Sequence, residues 1–176
     1  MELAGARGEA HSGRKSNVRR SQDMDSSQPA RILVVAHKTA ATRPLLDAVS
    51  ERAQQGPARF TLLVPNPAHG LHKVVDAQDQ GPAEAQAVLD KALPLLSEAA
   101  GSKVEGIVGD PDPLAAVHDA VNLRGFDEII ISTLSPRLSR WLKLDLPSKL
   151  SGLGLPIRTV TPTDEPAAKP EMVGHA

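Results

Sequence analysis

The sequence predicts an α/β domain built on an open, parallel, five-stranded sheet with helices on both faces. Short aliphatic runs alternate along the chain with segments whose apolar residues recur at helical spacing. The first run, RILVVA, is continuously apolar, which is typical of a strand covered on both faces. Regular alternation of strand and helix implies parallel strands joined by right-handed crossover helices.

The five strands are predicted where the short apolar runs occur. Their predicted bounds are Arg31 to Ala36, Phe60 to Val64, Val104 to Val108, Glu128 to Ser132 and Ile157 to Val160.

The first two helices are predicted from capping signals and apolar periodicity. Thr42 followed by Pro44 opens the first helix in the cap-then-proline manner, and its apolar spacing continues to Ala53. The second helix is predicted from Ala83 to Ala100. Because proline lacks the N–H that a helix interior requires, Pro94 predicts a kink or a break there.

The last two helices also have acid and proline residues at their starts. Asp110 with Pro111 is expected to start the third helix, which continues through Val121. The fourth helix is short and is predicted to begin near Pro147, with Asp145 as its N-terminal cap.

The domain is predicted to span residues 30–161, between two disordered tails. Residues 1–29 are rich in Gly, Ser, Arg and Asp and cannot bury enough apolar surface to fold. Residues 162–176 are rich in proline and also read as a tail. Met24 lies just before the first strand, so translation starting there is an alternative to Met1.

Composition limits the classes of function. Aromatic residues make up 2% of the chain and the formal net charge is −1, which disfavours nucleic-acid partners. The absence of cysteine excludes disulfides, thiolate metal sites and a cysteine nucleophile. No apolar run is long enough to span a membrane, and no signal-type apolar segment lies near the N-terminus. A cytoplasmic protein without a membrane association is expected.

Three segments carry a resemblance to a known family. RILVVA, VEGIVGDPDPLAAVHDAV and FDEIIIST resemble the first strand, the third strand with its helix, and the fourth strand of the universal stress protein (UspA-like) family. The resemblance covers Arg31 to Thr161 and implies a Rossmann-like sheet in the order 3-2-1-4-5. It further implies a homodimer through strand five, and a stress-associated role in sensing or protein interaction, with no catalysis and no catalytic residues.

ATP-binding members of that family carry the signature G-x2-G-x9-G-[ST] after strand four. In this chain the three glycine positions fall on Ser132, Ser135 and Asp145, and the last position falls on Leu146. Glycine there lets backbone N–H groups approach phosphate closely, whereas the Asp145 carboxylate would repel a triphosphate. We therefore expect that the usual ATP-binding mode is lost. ATP or another adenine nucleotide stays open as a ligand, and no cofactor is predicted.

A basic loop after strand four supports an alternative function. Arg137, Arg140 and Lys143 recur at a spacing of three, and Lys38 is expected to lie across from them. The alternative is a nucleotide-binding or small-phosphate-binding protein that uses these side chains. The same spacing also fits a solvated face of an amphipathic segment anchored by Trp141, or an interaction surface around Trp141.

The candidate ligand-binding residues share one feature, their place in loops at the carboxyl ends of strands. They are His37, Lys38, Gly109, Ser132, Thr133, Ser135, Arg137, Arg140 and Lys143.

A long loop is predicted from Pro65 to Gly81, and it carries His69 and His72. Together with His37 and Asp76 these histidines are the only weak candidates for a metal site. Histidines spaced H-x2-H in a loop are a poor metal signature, so no metal is predicted.

Overall fold

The computed structural model describes residues 28–67, 77–135, 141 and 145–162, with the backbone alone for residues 77–80. Five strands and four helices alternate within these ranges. The strands are β1 (Ala30–Val35), β2 (Ala58–Pro65), β3 (Glu105–Gly109), β4 (Glu128–Ser132) and β5 (Ile157–Val160). The helices are α1 (Arg43–Gln54), α2 (Ala77–Ala100), α3 (Pro113–Arg124) and α4 (Leu146–Ser151).

The strands form one parallel sheet in the order β3-β2-β1-β4-β5, which confirms the predicted order. β1 lies at the centre, and its Val35 is in register with Leu63 of β2 and Ile131 of β4. This register brings the carboxyl ends of the three central strands side by side at one edge of the sheet.

Helices cover both faces of the sheet, as predicted. On one face Ile32 and Val34 of β1 pack in a core cluster with residues of α1 and α2. On the other face Leu33 and Val35 pack with residues of α3 and α4. All four side chains are fully buried, so the continuous apolar run of β1 is explained by burial on both sides.

Helix α2 differs from its prediction in two ways. It begins at Ala77 instead of Ala83, so the loop predicted from Pro65 to Gly81 is shorter. Of the kink or break predicted at Pro94, the break does not occur, because the helix continues through this residue. Pro94 is exposed, whereas Ala92 and Leu96 on either side are buried. Packing of this buried face outweighs the loss of one backbone hydrogen bond.

The starts of α3 and α4 also differ in detail from their predictions. α3 begins at Pro113, where Oδ1 of Asp112 accepts a hydrogen bond of 3.1 Å from the Leu114 N–H, and not at Asp110. The repeated Asp-Pro pair offers two equivalent caps, between which the sequence does not discriminate. At α4, Asp145 holds the cap position but makes no side-chain capping bond, because its backbone is left-handed (φ 54°, ψ 39°).

The domain bounds stay a prediction, because residues 1–27 and 163–176 lie outside the part that the structure describes. Among the helices in the described ranges, none combines the length and apolar character needed to cross a lipid bilayer.

Candidate functional site

The carboxyl ends of the strands form the edge of the sheet where ligands bind in open α/β folds, and we call it the carboxyl edge. The turn after β1 runs from 36 to 42, and Asn66 follows β2 directly. Thr133 follows β4 and Gly109 ends β3. The Asn66 backbone N–H donates to the Gly109 carbonyl oxygen at 3.1 Å, which joins the ends of β2 and β3.

The turn after β1 is fixed against the end of β4. The hydroxyl of Thr39 is buried and donates to the carbonyl oxygen of Ser132 at 2.9 Å. Within the turn, the N–H of Ala40 donates to the carbonyl oxygen of His37 at 3.1 Å. The turn that carries His37 is therefore held by both β1 and β4.

His37 lies at the centre of the carboxyl edge with its side chain 15% exposed. Its Nε2 atom is buried and has no hydrogen-bond partner among the residues that the structure describes. The Glu84 carboxylate of α2 is 3.9 Å away. Burial lowers the pKa of His37 below its usual 6.5; the charge of Glu84 opposes this and that of Lys38 adds to it. The imidazole is therefore neutral near neutral pH.

Sequence reasoning missed Asn66 and Glu84 as members of this site. The Oδ1 atom of Asn66 is buried without a hydrogen-bond partner in the described ranges. The side chain lies so close to Gly81 of α2 that a Cβ there would overlap Oδ1. A polar residue directly after β2 was a readable signal for Asn66. No sequence signal indicated Glu84, because its position at this edge depends on where α2 begins.

The hydroxyl side chains at the end of β4 and just after it differ in their hydrogen bonding. Thr133 is buried, and its hydroxyl donates to the Leu134 carbonyl oxygen at 3.0 Å. Ser132 is 1% exposed, and its Oγ has no hydrogen-bond partner among the described residues. By strand alternation, its side chain shares the face of Ile130, which α1 and α2 cover. Ser135 is half-buried.

Gly109 has a packing reason for lacking a side chain. A Cβ at this position would lie 2.7 Å from the Cβ of Ala116 and 2.7 Å from Cδ1 of Leu63. Glycine therefore allows α3 to approach the ends of β2 and β3 closely. Lys38 carries an exposed side chain in the turn after β1.

Several predicted site residues fall outside the described ranges. They are Arg137, Arg140, Lys143, His69, His72 and Asp76. Trp141 is half-buried and packs against the core cluster of α3 and α4. Within the described ranges, no group of three His, Asp or Glu side chains is arranged to hold a metal ion.

The carboxyl edge therefore carries three buried polar atoms that no described residue satisfies, and they follow or end the neighbouring strands β2, β1 and β4. Each can accept a hydrogen bond. Leaving such a group unpaired costs about 1–3 kcal/mol, which a bound polar molecule would recover.

Comparison with solved structures finds similar folds. A universal stress protein from Archaeoglobus fulgidus in complex with dAMP superposes with a TM-score of 0.53 at 15% identity, covering 76% of this chain and 98% of that chain. A universal stress protein in complex with cAMP superposes with a TM-score of 0.53 at 15% identity, covering 78% and 100%. A universal stress protein family member from Burkholderia pseudomallei gives a TM-score of 0.55 at 18% identity, covering 76% and 96%.

Comparison of the sequence gives no such match: no protein-family model matches it, and no curated protein matches it significantly. At identities below 20%, the structural likeness is a likeness of architecture. The strand order agrees with the order that the sequence resemblance implied. The chain therefore has the fold of the universal stress proteins.

Proposed function

We propose that this protein is a non-catalytic, stress-associated sensor of a small adenosine-containing ligand, bound by side chains at the carboxyl edge. In this proposal the glycine-backbone mode of ATP binding is lost. Two proteins with the same fold are described in complex with dAMP and with cAMP, which supports an adenine nucleoside or nucleotide as the class of ligand.

The observation that carries the proposal is the set of three unsatisfied polar atoms. The Nε2 of His37, the Oδ1 of Asn66 and the Oγ of Ser132 are buried where open α/β sheets place their ligands. A nucleoside offers ribose hydroxyls and an exocyclic amine, which are hydrogen-bond donors suited to such acceptors.

Asp145 supports a site in which the phosphate groups of a nucleotide contribute little to affinity. Among the non-glycine residues that the structure describes, Asp145 alone has a positive φ. The position that the resemblance matches to a signature glycine therefore has a backbone shape that favours glycine. Its side chain is nevertheless an exposed carboxylate, which repels phosphate groups. We expect the β- and γ-phosphates of ATP to add no affinity.

The hydroxyl side chains described at the carboxyl edge include no activated nucleophile, which supports the non-catalytic role. A catalytic serine needs a base within hydrogen-bond reach. Neither the Oγ of Ser132 nor the Nε2 of His37 makes a hydrogen bond to any described residue, so they do not form a Ser–His pair. The hydroxyl of Thr133 donates to a carbonyl oxygen instead.

Thermal-shift and calorimetric titrations of the full chain with adenosine, AMP and ATP test this proposal. Adenosine and AMP should raise the melting temperature, and ATP should bind no more tightly than AMP. Ser132→Ala should reduce the rise, whereas Ser148→Ala, at an exposed position of α4, should leave it unchanged. The proposal fails if neither adenosine nor AMP binds, or if Ser132→Ala binds them as the wild type does.

The second candidate, a phosphate-binding site built from Arg137, Arg140 and Lys143, predicts a different order of affinities. The similar structures in complex with dAMP and with cAMP support this candidate, because both ligands carry a phosphate group. It requires ATP to bind more tightly than AMP, because each added phosphate gains charge-assisted hydrogen bonds. The double variant Arg137→Ala with Arg140→Ala would then abolish that difference.

We further propose that the protein is a homodimer through β5. This strand is at one end of the sheet, so one side of its backbone pairs with no strand of the described ranges and can pair with a second copy. Arg158 and Thr159 of this strand are exposed. Sedimentation of the wild type and of Thr159→Pro checks the proposal, since proline removes a backbone donor from the strand; a monomeric wild type would contradict it.

A further inference from the structure

Three electron-pair donors are held at the ends of β1 and β2 and in the part of α2 that contacts these ends. They are the imidazole Nε2 of His37, the amide Oδ1 of Asn66 and the carboxylate of Glu84. The first two atoms are buried with no hydrogen-bond partner in the described ranges. The nitrogen of a neutral imidazole has a lone pair that can bind a metal.

One of the spacings is close to that of two ligands on a single ion. His37 Nε2 and Glu84 Oε1 are 3.9 Å apart, and two bonds of about 2.0–2.2 Å at a tetrahedral ion span roughly 3.3–3.6 Å, so a small shift of the exposed Glu84 side chain brings both atoms onto one ion. Asn66 lies against Gly81. Gly81 and Glu84 are three residues apart in α2, so their positions are neighbours on the same side of the helix.

We propose that His37, Asn66 and Glu84 bind a divalent transition-metal ion such as Zn²⁺ at the carboxyl edge. The site is the one assigned above to a small ligand, and the inference rests on that proposed function. The third ligand is an amide oxygen, so this set differs from a cluster of histidines and acids, and water or the organic ligand completes the coordination.

The ligand types favour a transition metal over Mg²⁺. Imidazole nitrogen suits Zn²⁺, Ni²⁺ and Co²⁺, whereas Mg²⁺ prefers oxygen ligands and keeps several waters. The chain has no cysteine that would compete for the ion. The Glu84 side chain is 49% exposed, which gives the ion a path from solvent.

Calorimetric titration of the untagged, metal-stripped full chain with ZnCl₂, and separately with MgCl₂, tests the proposal. One Zn²⁺ should bind per chain, and Mg²⁺ should bind far more weakly. His37→Gln should weaken Zn²⁺ binding by on the order of 10-fold or more, at least the effect of losing an outer-shell partner. His118→Gln, in α3, is the matched control and should bind as the wild type does.

A variant that binds Zn²⁺ more tightly than the wild type separates an effect on the site from damage to the fold. Asn66→Asp should tighten Zn²⁺ binding, because a carboxylate replaces a neutral amide oxygen as ligand. A variant that merely disturbed packing would not bind more tightly. Circular dichroism of each variant confirms that it is folded.

Two results would overturn the inference: no Zn²⁺ binding to the wild type, or affinities unchanged in both His37→Gln and Asn66→Asp. The second result would assign the ion to other residues. Because the ion alone is the probe, a failure of zinc binding and a failure of adenosine or AMP binding are separate measurements and can be told apart.

Discussion

The two edges of the sheet differ in how fully their polar side chains are paired with other side chains. At the amino ends of the strands, charged side chains pair across neighbouring elements. The pairs are Arg31–Asp127 at 3.7 Å, Arg52–Glu128 at 2.6 Å, Arg124–Glu105 at 3.2 Å and Arg158–Glu51 at 2.6 Å. At the carboxyl edge, three buried polar atoms have no hydrogen-bond partner in the described part of the chain.

This difference separates polar groups that hold the fold from polar groups that are available to a ligand. The amino-edge pairs join the ends of helices and strands and are satisfied within the chain. The carboxyl-edge atoms cost stability unless another molecule satisfies them. Within the described ranges the unpaired buried groups lie only at the edge where ligands bind, which is the pattern expected of a binding protein. The predictions below examine both edges.

The largest effect is expected at the amino edge. In the pair Arg52–Glu128 the side chains are 16% and 20% exposed. Arg52→Ala leaves the Glu128 carboxylate half-buried without its partner, and should lower the free energy of unfolding by about 3 kcal/mol. Chemical denaturation measures this loss, and AMP affinity should not change.

Arg124→Ala is the control for the amino edge. The Arg124–Glu105 pair is 3.2 Å apart, and its side chains are 48% and 66% exposed. Its loss should cost about 0.5 kcal/mol or less, because water screens an exposed pair. Equal losses of unfolding free energy in the two variants would show that burial does not determine how much an ion pair at this edge stabilises the fold.

The second prediction is that the carboxyl edge is tightly packed despite its unpaired atoms. Gly109→Ala places a Cβ 2.7 Å from Ala116 Cβ and Leu63 Cδ1, and should cost about 2 kcal/mol of unfolding free energy. At Gly152 an added Cβ meets only the Lys149 carbonyl oxygen, at 3.6 Å, so Gly152→Ala should not destabilise. A harmless Gly109→Ala would mean that this edge is loosely built.

The third prediction concerns the strained backbone at Asp145. Asp145→Gly removes the steric cost of φ 54° and should raise the unfolding free energy by about 0.5 kcal/mol, after the added flexibility of the unfolded chain is subtracted. Ser148→Gly, inside α4, should have the opposite sign. A loss of stability in Asp145→Gly would show that the aspartate side chain stabilises this turn.

The smallest effect is a pH dependence from His37. Its folded pKa lies below 6.5, so between these two values the unfolded chain binds more protons than the folded one. Stability should therefore rise with pH through this window and fall as the pH drops. Denaturation at several pH values, with EDTA present, should show a flatter profile for His37→Gln than for His118→Gln. Identical profiles would contradict the role of burial.

The fold followed from the sequence because the signals were local. The aliphatic run of β1 and the cap-then-proline start of α1 needed no knowledge of distant residues. The start of α3 was two residues in error because two Asp-Pro pairs compete locally. A break at Pro94 was one of two predicted outcomes, and it does not occur because packing of the buried neighbours decides whether the helix continues.

The site was only partly accessible to the same reasoning. The sequence predicted that His37 and Ser132 lie at the carboxyl edge, because each is at or just after the carboxyl end of a strand; their role in ligand binding stays a prediction. Asn66 was missed although the same rule applied to it. Glu84 depends on the start of α2 and on the packing of that helix over β1 and β2, which no local pattern specifies.

The most direct test of the account is a map of ligand binding by two-dimensional amide NMR during titration with AMP. The account predicts that the signals of His37, Thr39, Asn66, Ser132 and Thr133 shift, whereas those of Arg31, Glu105, Asp127 and Glu128 at the amino edge do not. Shifts confined to the amino edge, or a spectrum that AMP leaves unchanged, would contradict it.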